Sequence, residues 1–323
     1  MPPSNSIPAH SRAKAKLLVI TQHLRSVLII NPATLEIEST VPTCGDRPHE
    51  AVVSRDGRLA YIPIYGDGGV GTPGTHGHTI EILDLTTDTI VDEIDLKRPS
   101  RPHCIRLGPD GLLYLTSEVA RTVDIIDPST RQLIASIPTQ QDESHMLVLT
   151  RDGKRAYTSN VCAGSITVLD LQKRAPITVI PVAKSIQRIA ISADDSMLFT
   201  TDQHAPRVAV IDTHTNAIRE WIALPSIGYA TLTAADGKSL LVSLFRSSQV
   251  AKVDLATMQV TNLIDVPAGP IGALFDPTRP RAYITCFFGG KVAVLNWQEF
   301  KLEKLIDTET GADGLAWAPA IQP

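Results

Sequence analysis

The sequence predicts an all-β protein, a seven-bladed β-propeller in which each blade contains four strands. Three observations carry this prediction. A unit of about 42 residues repeats along the 323-residue chain, and each full unit contains four short apolar segments separated by turn residues. The final unit is divided between the two ends of the chain, as expected for a closed ring. This period with four strands per unit is typical of propeller blades.

The units are aligned by their first two strands. Each unit starts with an inward-facing segment, continues through an apolar strand and a turn, often Asp-Gly, and has a third strand that ends in Asp or Asn. Asp-Gly between apolar runs is a strong hairpin signal. We take the third residue of each unit as its anchor, and the gaps between anchors are 54, 42, 42, 41, 44 and 42 residues. The seven anchors, which predict seven blades, are His49, His103, His145, Gln187, Gly228, Gly272 and Gly314.

The two ends of the chain are expected to share the last blade. The last unit has a single strand, GLAWAP, whereas the N-terminal strands match the second to fourth strands of a unit. Leu18 precedes His49 by 31 residues, the same spacing that separates Tyr114 from His145. This sharing would hide the edges of the sheet, and an open β-sandwich, the alternative, does not predict it. Residues 1–15 are predicted to be a flexible tail, and residues 16–323 a single propeller domain.

Composition and charge argue against several classes of partner. The net charge is −4 and the 30 basic residues are scattered, which disfavours nucleic acid and anionic membrane surfaces. No apolar stretch approaches the ~20 residues that a membrane span requires. The four cysteines, at positions 44, 104, 162 and 286, lie far apart without CxxC spacing. This favours reduced thiols and a cytoplasmic location, and the oligomeric state is left open.

Two segments resemble known propeller families. RDGKRAYTSNVCAGSITVLDL, residues 151–171, resembles the YVTN-type β-propeller repeat, and the resemblance covers residues 16–318. It implies the fold, whereas the function stays open because such propellers include binding proteins, lactonase-like enzymes and lyases. RPHCIRLGPDGLLYLTSE, residues 101–118, also resembles one unit of streptogramin B lyase. That resemblance implies that His103 and Glu118 lie at a metal-assisted ring-opening site, but one blade does not transfer a substrate or a reaction.

Three histidines occupy the anchors of three successive blades. The innermost strand of a propeller blade starts near one mouth of the channel, so the anchor side chains should point toward a common axis. His49, His103 and His145 are therefore predicted to bind one divalent metal ion with an open position for substrate or water. The sequence does not distinguish Zn, Fe, Mn, Ni or Cu. The alternatives are a metal-free histidine cluster that does binding or acid–base work, and polar caps of a wet channel.

Four further residues are predicted to belong to the site. Glu118 is expected to orient an imidazole or to act as a general base, and Gln187 to hydrogen-bond a metal-bound water or the substrate. Arg246 is expected to bind a substrate carboxylate, and Tyr229 to line the wall beside a glycine anchor. The glycines at the last three anchors are expected to leave half of the mouth open. Taken singly, each of these four could instead be a solvated rim residue.

The long first gap marks an insertion in the loop between the second and third strands of blade one. This loop, residues 65–79, contains six glycines and two histidines, His76 and His78. We expect either a mobile lid that brings these histidines over the site or a flexible insertion without a role.

The predicted function is that of a metal-dependent enzyme with a small-molecule substrate, acting as a lyase, a lactone hydrolase or an isomerase. One alternative is a metal-free lactonase or cycloisomerase in which His145 or Glu118 is the acid or base beside Arg246. Another is a non-enzymatic propeller that binds a ligand or protein through other surfaces. The metal content of the purified protein separates the first possibility from the other two.

Overall fold

The computed structural model describes residues 14–321. Their strands form seven antiparallel sheets of four strands each, and the chain is a seven-bladed β-propeller, as the sequence predicts. Among these residues, no helix is long and apolar enough to cross a membrane. The predicted flexible tail, residues 1–15, lies outside the described residues except for 14 and 15.

Each blade runs from an innermost to an outermost strand, and blade one starts at the first anchor. The innermost strands of blades one to seven are β4 (Val52–Val53), β8 (Pro102–Leu107), β12 (Ser144–Leu149), β16 (Ile186–Ile191), β20 (Thr231–Thr233), β24 (Pro270–Phe275) and β28 (Ala312–Ala318). The second strands are β5 (Leu59–Ile64), β9 (Leu113–Ser117), β13 (Arg155–Asn160), β17 (Met197–Asp202), β21 (Ser239–Leu244), β25 (Arg281–Cys286) and β1 (Lys16–Thr21). The third strands are β6 (Thr79–Asp84), β10 (Thr122–Asp127), β14 (Ser165–Asp170), β18 (Arg207–Asp212), β22 (Gln249–Asp254), β26 (Lys291–Asn296) and β2 (Ser26–Asn31). The outermost strands are β7 (Thr89–Asp95), β11 (Gln132–Pro138), β15 (Ala175–Pro181), β19 (Ala217–Ala223), β23 (Gln259–Asp265), β27 (Lys301–Asp307) and β3 (Glu36–Pro42).

Blade seven is assembled from both ends of the chain. β28 supplies its innermost strand and pairs antiparallel with β1, with Leu17 opposite Trp317 and Val19 opposite Leu315. β1 also pairs with β2, so its backbone is bonded on both sides. The pairing leaves no gap in the ring of blades, which is the arrangement predicted from the spacing of Leu18 and His49.

The Asp or Asn that ends each third strand forms the turn into the outermost strand. Its side-chain oxygen accepts a hydrogen bond from a backbone N–H two or three residues later, as in an Asx-turn. The same bond occurs in all seven blades, at Asn31, Asp84, Asp127, Asp170, Asp212, Asp254 and Asn296. The repeated Asp of the sequence is therefore a turn residue on the face opposite to the second-to-third-strand loops.

Apolar side chains fill the spaces between neighbouring blades. Cys104 and Tyr114 of blade two share one buried cluster with Leu147 and Tyr157 of blade three. Burial of each large apolar side chain contributes roughly 1.5–3 kcal/mol. Because every blade packs on the next, the ring holds the inner strands and the loops at the channel mouth in fixed relative positions.

Candidate functional site

One mouth of the central channel contains a cavity of about 200 Å³. Its wall combines residues from the inner strands with residues from the loops between second and third strands. The lining residues are Gln22, His49, Val70, His103, His145, Arg188, Tyr229, Phe245, Ile271, Phe287, Phe288 and Asp313. All three anchor histidines therefore face one cavity, together with a set of aromatic rings.

β-Bulges place several of these side chains. In β8, Pro102 pairs with Ser117 and Ile105 pairs with Leu115, so that two residues, His103 and Cys104, lie opposite one partner. The innermost strands β12, β16, β24 and β28 have register shifts at the corresponding position. A bulge turns a side chain out of the strand's normal alternation. In β8, β12, β16 and β28 the bulge directs a polar side chain toward the mouth of the channel. In β24 the residue that lines the cavity is Ile271.

The three histidine rings lie in a row. The ring centroids of His49 and His103 are 4.7 Å apart, and those of His103 and His145 are 3.7 Å apart. All three side chains are buried. Burial and the neighbouring charges of His145 and His49 hold the pKa of His103 well below its usual value. His103 is therefore a neutral imidazole at neutral pH, the form that binds metal ions.

A carboxylate contacts Nδ1 of each outer histidine. Oε1 of Glu118 lies 2.5 Å from Nδ1 of His145, and Oδ2 of Asp313 lies 3.0 Å from Nδ1 of His49. Because an ionised carboxylate only accepts hydrogen bonds, the contact with Glu118 favours a proton on Nδ1 of His145 and a lone pair on its Nε2. Nδ1 of His49 lies 3.1 Å from the amide nitrogen of Gln22, a donor, as well as beside Asp313, so its two neighbours favour opposite tautomers. Nε2 of His49 is buried and has no hydrogen-bond partner among the described residues.

Tyr65 extends this arrangement behind Glu118. Its hydroxyl donates a hydrogen bond of 2.6 Å to Oε2 of Glu118. Burial, followed by the charge of Glu118, raises the pKa of Tyr65 above its usual range, so the hydroxyl stays protonated and donates. Within residues 14–321, Glu118 has no lysine or arginine partner. Its buried negative charge is therefore balanced through the ring of His145 or by a cation in the cavity.

A buried arginine connects blades four, one and seven. Arg188 donates to Glu50 over 2.5 Å and to Asp313 over 2.7 Å. Burial opposes the charge of Arg188, but the two carboxylates outweigh it and raise the pKa above its usual range. Burial also opposes the charge of Asp313, whereas the hydrogen bond to His49 and the charge of Arg188 hold its pKa at about 2. The network fixes Asp313, and hence the ring orientation of His49.

Ligand atoms of His103, Glu118 and His145 all lie within 4.8 Å of one another, which is close enough to surround a metal ion. His49 is outside this group. The prediction assigned His49 as the third ligand and Glu118 to a supporting position. The structure thus offers two ligand sets that share His103 and His145 and differ in the third member.

The other predicted site residues lie at different distances from the cavity. Tyr229 lines it, and burial raises the pKa of this tyrosine to about 12. Glu118 lies behind His145. Gln187 is buried with an unpartnered Oε1 among the described residues, but the neighbouring Arg188 lines the cavity instead. Arg246 is exposed on the turn after β21 and does not line the cavity, so its position gives no support to carboxylate binding there.

The anchor glycines have a different role from the one expected. A Cβ atom at Gly314 would lie 2.2 Å from the carbonyl oxygen of His49, and one at Gly272 would lie 2.4 Å from that of Asp313. These glycines let neighbouring blades approach closely. Aromatic side chains from the loops of blades five and six line the half of the mouth beside these glycines.

The inserted loop, residues 65–79, covers part of the cavity. Val70 lines the cavity, and the backbone carbonyls of Gly68 and Gly69 accept hydrogen bonds from Arg47 and Arg101. The predicted contribution of His76 and His78 is not seen, since neither lines the cavity and His78 bonds to Asp95 on the surface. Movement of this loop as a lid over the cavity stays a prediction.

Sequence reasoning missed Glu50, Tyr65, Arg188 and Asp313. Glu50 and Arg188 each follow an anchor residue, and Asp313 precedes one. The signal that could have identified these three residues was a charged residue beside the anchor, in an inner segment that is otherwise mostly apolar. Tyr65 starts the inserted loop and carried no such signal.

Comparison with known sequences supports the fold. No protein-family model matches the chain. Over 119 residues it is 26% identical to the seven-bladed beta-propeller protein Rv1057 of Mycobacterium tuberculosis. The match covers 35% of this chain and 30% of that protein. The propeller fold implied by the YVTN-type resemblance is confirmed, whereas membership of that family stays a prediction.

Several solved structures have the same fold. Hydrazine synthase of Kuenenia stuttgartiensis has a TM-score of 0.74 at 16% identity, covering 90% of this chain and 99% of that chain. The dihydro-heme d1 dehydrogenase NirN in complex with DHE has a TM-score of 0.67 at 14% identity, covering 98% and 77%. A functionally unknown protein from Desulfotomaculum acetoxidans has a TM-score of 0.76 at 11% identity, covering 94% and 99%. At these identities the likeness shows the fold alone.

Proposed function

We propose that this propeller is a metal-dependent enzyme that transforms a small molecule in the cavity at the channel mouth. The observation that carries the proposal is the pair of carboxylate–histidine contacts, Glu118 to His145 and Asp313 to His49. Metal-binding histidines commonly donate their second ring N–H to a carboxylate, which fixes the tautomer and orients the ring. Two such pairs flank the neutral ring of His103.

The ligands in this proposal are His103 and His145, with Nε2 of His49 as the third. The unpartnered Nε2 of His49 supports this choice, because a buried polar atom without a partner is costly. Glu118 and Asp313 then support the rings rather than bind the ion directly. The alternative third ligand is Glu118, whose oxygen lies within reach of the same point as the other two residues.

A divalent ion held in this way would polarise a carbonyl group or lower the pKa of a bound water. Elimination, lactone hydrolysis and isomerisation next to a carbonyl fit such a centre, and each requires a proton to be moved. Glu118, bonded to Tyr65 and His145, lies outside the cavity lining and would take part in that transfer only through the ring of His145.

A second candidate function uses the same residues without a metal. Tyr65, Glu118 and His145 form a continuous hydrogen-bonded chain, which leaves Nε2 of His145 as a general base toward the cavity. This reading corresponds to a metal-free hydrolase or cycloisomerase of small molecules.

Metal analysis of the purified full chain tests the proposal. Protein without an affinity histidine tag is stripped with a chelator, reloaded with Zn, Mn, Fe, Ni or Cu in turn, desalted and analysed for elements. We expect about one divalent ion per chain for the preferred metal. His103→Ala should abolish loading, whereas His214→Ala, an exposed histidine on the opposite face, should not affect it.

Failure of every metal to bind the folded wild-type protein would overturn the proposal. Hydrolysis of a panel of small lactones, followed with a pH indicator, then addresses the second candidate. Lactone turnover that survives chelation and is lost in His145→Ala would favour the metal-free reading.

A further inference from the structure

Aromatic side chains form the wall of the cavity opposite the histidines. We call this set, Tyr229, Phe245, Phe287 and Phe288, the aromatic arc. Tyr229 and Phe245 are stacked with ring centroids 5.4 Å apart, Phe245 and Phe288 are 5.7 Å apart, and Phe287 and Phe288 are 5.3 Å apart. Ile271 completes the apolar side of the cavity.

The rings of the arc are not part of the protein core. Phe288 is 59% exposed, and Tyr229, Phe245 and Phe287 are half-buried, whereas Tyr157 and Phe199 in the core are fully buried. Folding therefore leaves apolar ring surface in contact with water at the cavity. A cluster of exposed apolar side chains beside polar groups commonly marks a binding site.

The repeat itself does not require aromatic residues in these loops. Phe245, Phe287 and Phe288 lie directly after second strands. The corresponding positions of the other blades hold Gln22, Tyr65, Glu118, Val161 and Gln203, of which Tyr65 alone is aromatic. Only the loops of blades five and six present phenylalanine, and both face the cavity. The arc is thus a local feature of the site rather than a consequence of the fold.

We propose that the substrate is a small molecule with an aromatic ring at one end and a metal-binding polar group at the other. This inference rests on the proposed function, because the polar group is placed at the histidines. The ring would lie against the arc, where offset-stacked and edge-to-face contacts favour an aromatic over a saturated ring. A cavity of about 200 Å³ suits one ring with a short polar substituent and excludes polymers.

Three hydroxamates that share one metal-binding group and differ in the attached group test the inference. Benzohydroxamate, cyclohexanecarbohydroxamate and acetohydroxamate are titrated calorimetrically into the metal-loaded full chain. We expect benzohydroxamate to bind roughly tenfold more tightly than acetohydroxamate, and a few-fold more tightly than the cyclohexyl compound of similar size. Equal affinity of the phenyl and cyclohexyl compounds would overturn the aromatic preference.

Substitutions in the arc supply the second half of the test. Phe245→Leu combined with Phe288→Leu should remove the preference for benzohydroxamate and leave acetohydroxamate binding unchanged. Ile134→Ala, at an exposed apolar residue of β11 on the outer side of blade two, is the control and should change neither affinity. An unaltered preference in the double variant would contradict the inference while leaving the metal proposal intact.

A protein that loads no metal would overturn the proposed function, and the ring-binding part would then be tested separately. Saturation-transfer NMR with phenol needs no metal. Transfer to the phenol ring protons in the wild type that is lost in the Phe245→Leu, Phe288→Leu variant supports an aryl site at the arc. Transfer that is absent, or that persists unchanged in the variant, overturns it.

Discussion

His145 is held by contacts on three sides. Glu118 bonds to Nδ1, the ring of His103 lies against its own, and the hydroxyl of Thr116 donates to its backbone carbonyl over 2.7 Å. Each contact restricts a different freedom of the side chain: the ring tautomer, the ring plane and the position of the backbone. Nε2 is left as the ring nitrogen that faces the cavity. Such restriction is what a metal ligand or a general base needs, because its reacting atom must stay in one place.

The charge of Glu118 should matter more than its shape. In Glu118→Gln the amide keeps the volume and still accepts from Nδ1 of His145, but the negative charge that strengthens the imidazole as a ligand is lost. We expect the affinity for the metal to fall by about 10–100-fold, the usual effect of losing a carboxylate behind a ligating histidine. The affinity is measured by competition with a chromophoric chelator.

Glu143→Gln is the matched control for this prediction. Glu143 lies nearby, and burial, with the charge of Glu118, raises its pKa, but it contacts no histidine ring in the described part of the chain. Its substitution should leave the metal affinity within a few-fold of wild type. Equal affinities of the two variants would show that Glu118 does not act through the imidazole.

At the scale of the strand, a threonine hydroxyl donates to a backbone carbonyl of the following blade in blades two, four and six. Thr116 accepts from the N–H of Cys104 in the bulge of blade two and donates to the carbonyl of His145 in blade three. Thr201 in blade four donates to the carbonyl of Tyr229 in blade five over 3.1 Å. In blade two the hydroxyl of Thr116 also replaces the ladder bond that the bulge interrupts. It therefore positions the cavity-lining residue of the following blade.

Thr116→Val should affect both stability and the site. The substitution leaves a buried N–H and a buried carbonyl unpaired, which costs about 1–3 kcal/mol of unfolding free energy. The same loss frees the backbone of His145, so the metal affinity should also fall. Urea unfolding of the metal-free protein measures the first effect, and chelator competition measures the second.

Thr201→Val separates the two effects. It removes an equivalent inter-blade bond beside Tyr229, on the side of the cavity away from the histidines. We expect a similar loss of stability with an unchanged metal affinity. If Thr201→Val lowered the metal affinity as much as Thr116→Val, the effect would be general loosening of the ring and not local support of His145.

The bulges also explain which site residues the sequence could identify. His49, His103 and His145 follow from counting, because the anchor is the same residue of each repeat. Arg188 and Asp313 lie one position after or before an anchor, and the register of a bulge decides which of the two neighbours faces the channel. Periodicity does not fix that choice: it points to Gln187, whereas the structure has Arg188 in the cavity lining.

Contacts between different blades could not be predicted from the sequence for another reason. Arg246 was assigned to the cavity because its loop lies on the correct face, yet its side chain is exposed. Phe245, the residue before it, faces the cavity instead. The direction of a loop side chain depends on the neighbouring loops, and repeat spacing contains no information about them.

For the whole molecule, closure of the ring was predictable because it depends only on the number and order of strands. The spacing of Leu18 and His49 placed the N-terminal strands in blade seven, and β1 does pair with β28. Closure of the ring also positions part of the site, because Asp313 lies on β28 and Gln22 follows β1. Both residues contact His49 in blade one. The two ends of the described chain therefore meet behind one of the proposed metal ligands.

Removal of β28 should unfold the ring rather than merely shorten it. A chain that ends at residue 311 exposes the edge of β1 and uncovers Leu18 and Val19, which are fully buried in the intact blade. We expect a large loss of thermal stability and a tendency to aggregate through the open edge. Circular dichroism during heating and size-exclusion chromatography measure the two effects.

A circular permutant is the matched control for this truncation. Lys16 pairs with Ala318, so a short glycine-rich turn can join these ends, while new termini are opened between Ser129 and Thr130 on the exposed turn after β10. The permutant keeps in place all 28 strands of the described residues and should melt cooperatively near the wild-type temperature with its metal site intact. A permutant as unstable as the truncated chain would mean that the order of the strands along the chain, and not the completeness of blade seven, stabilises the propeller.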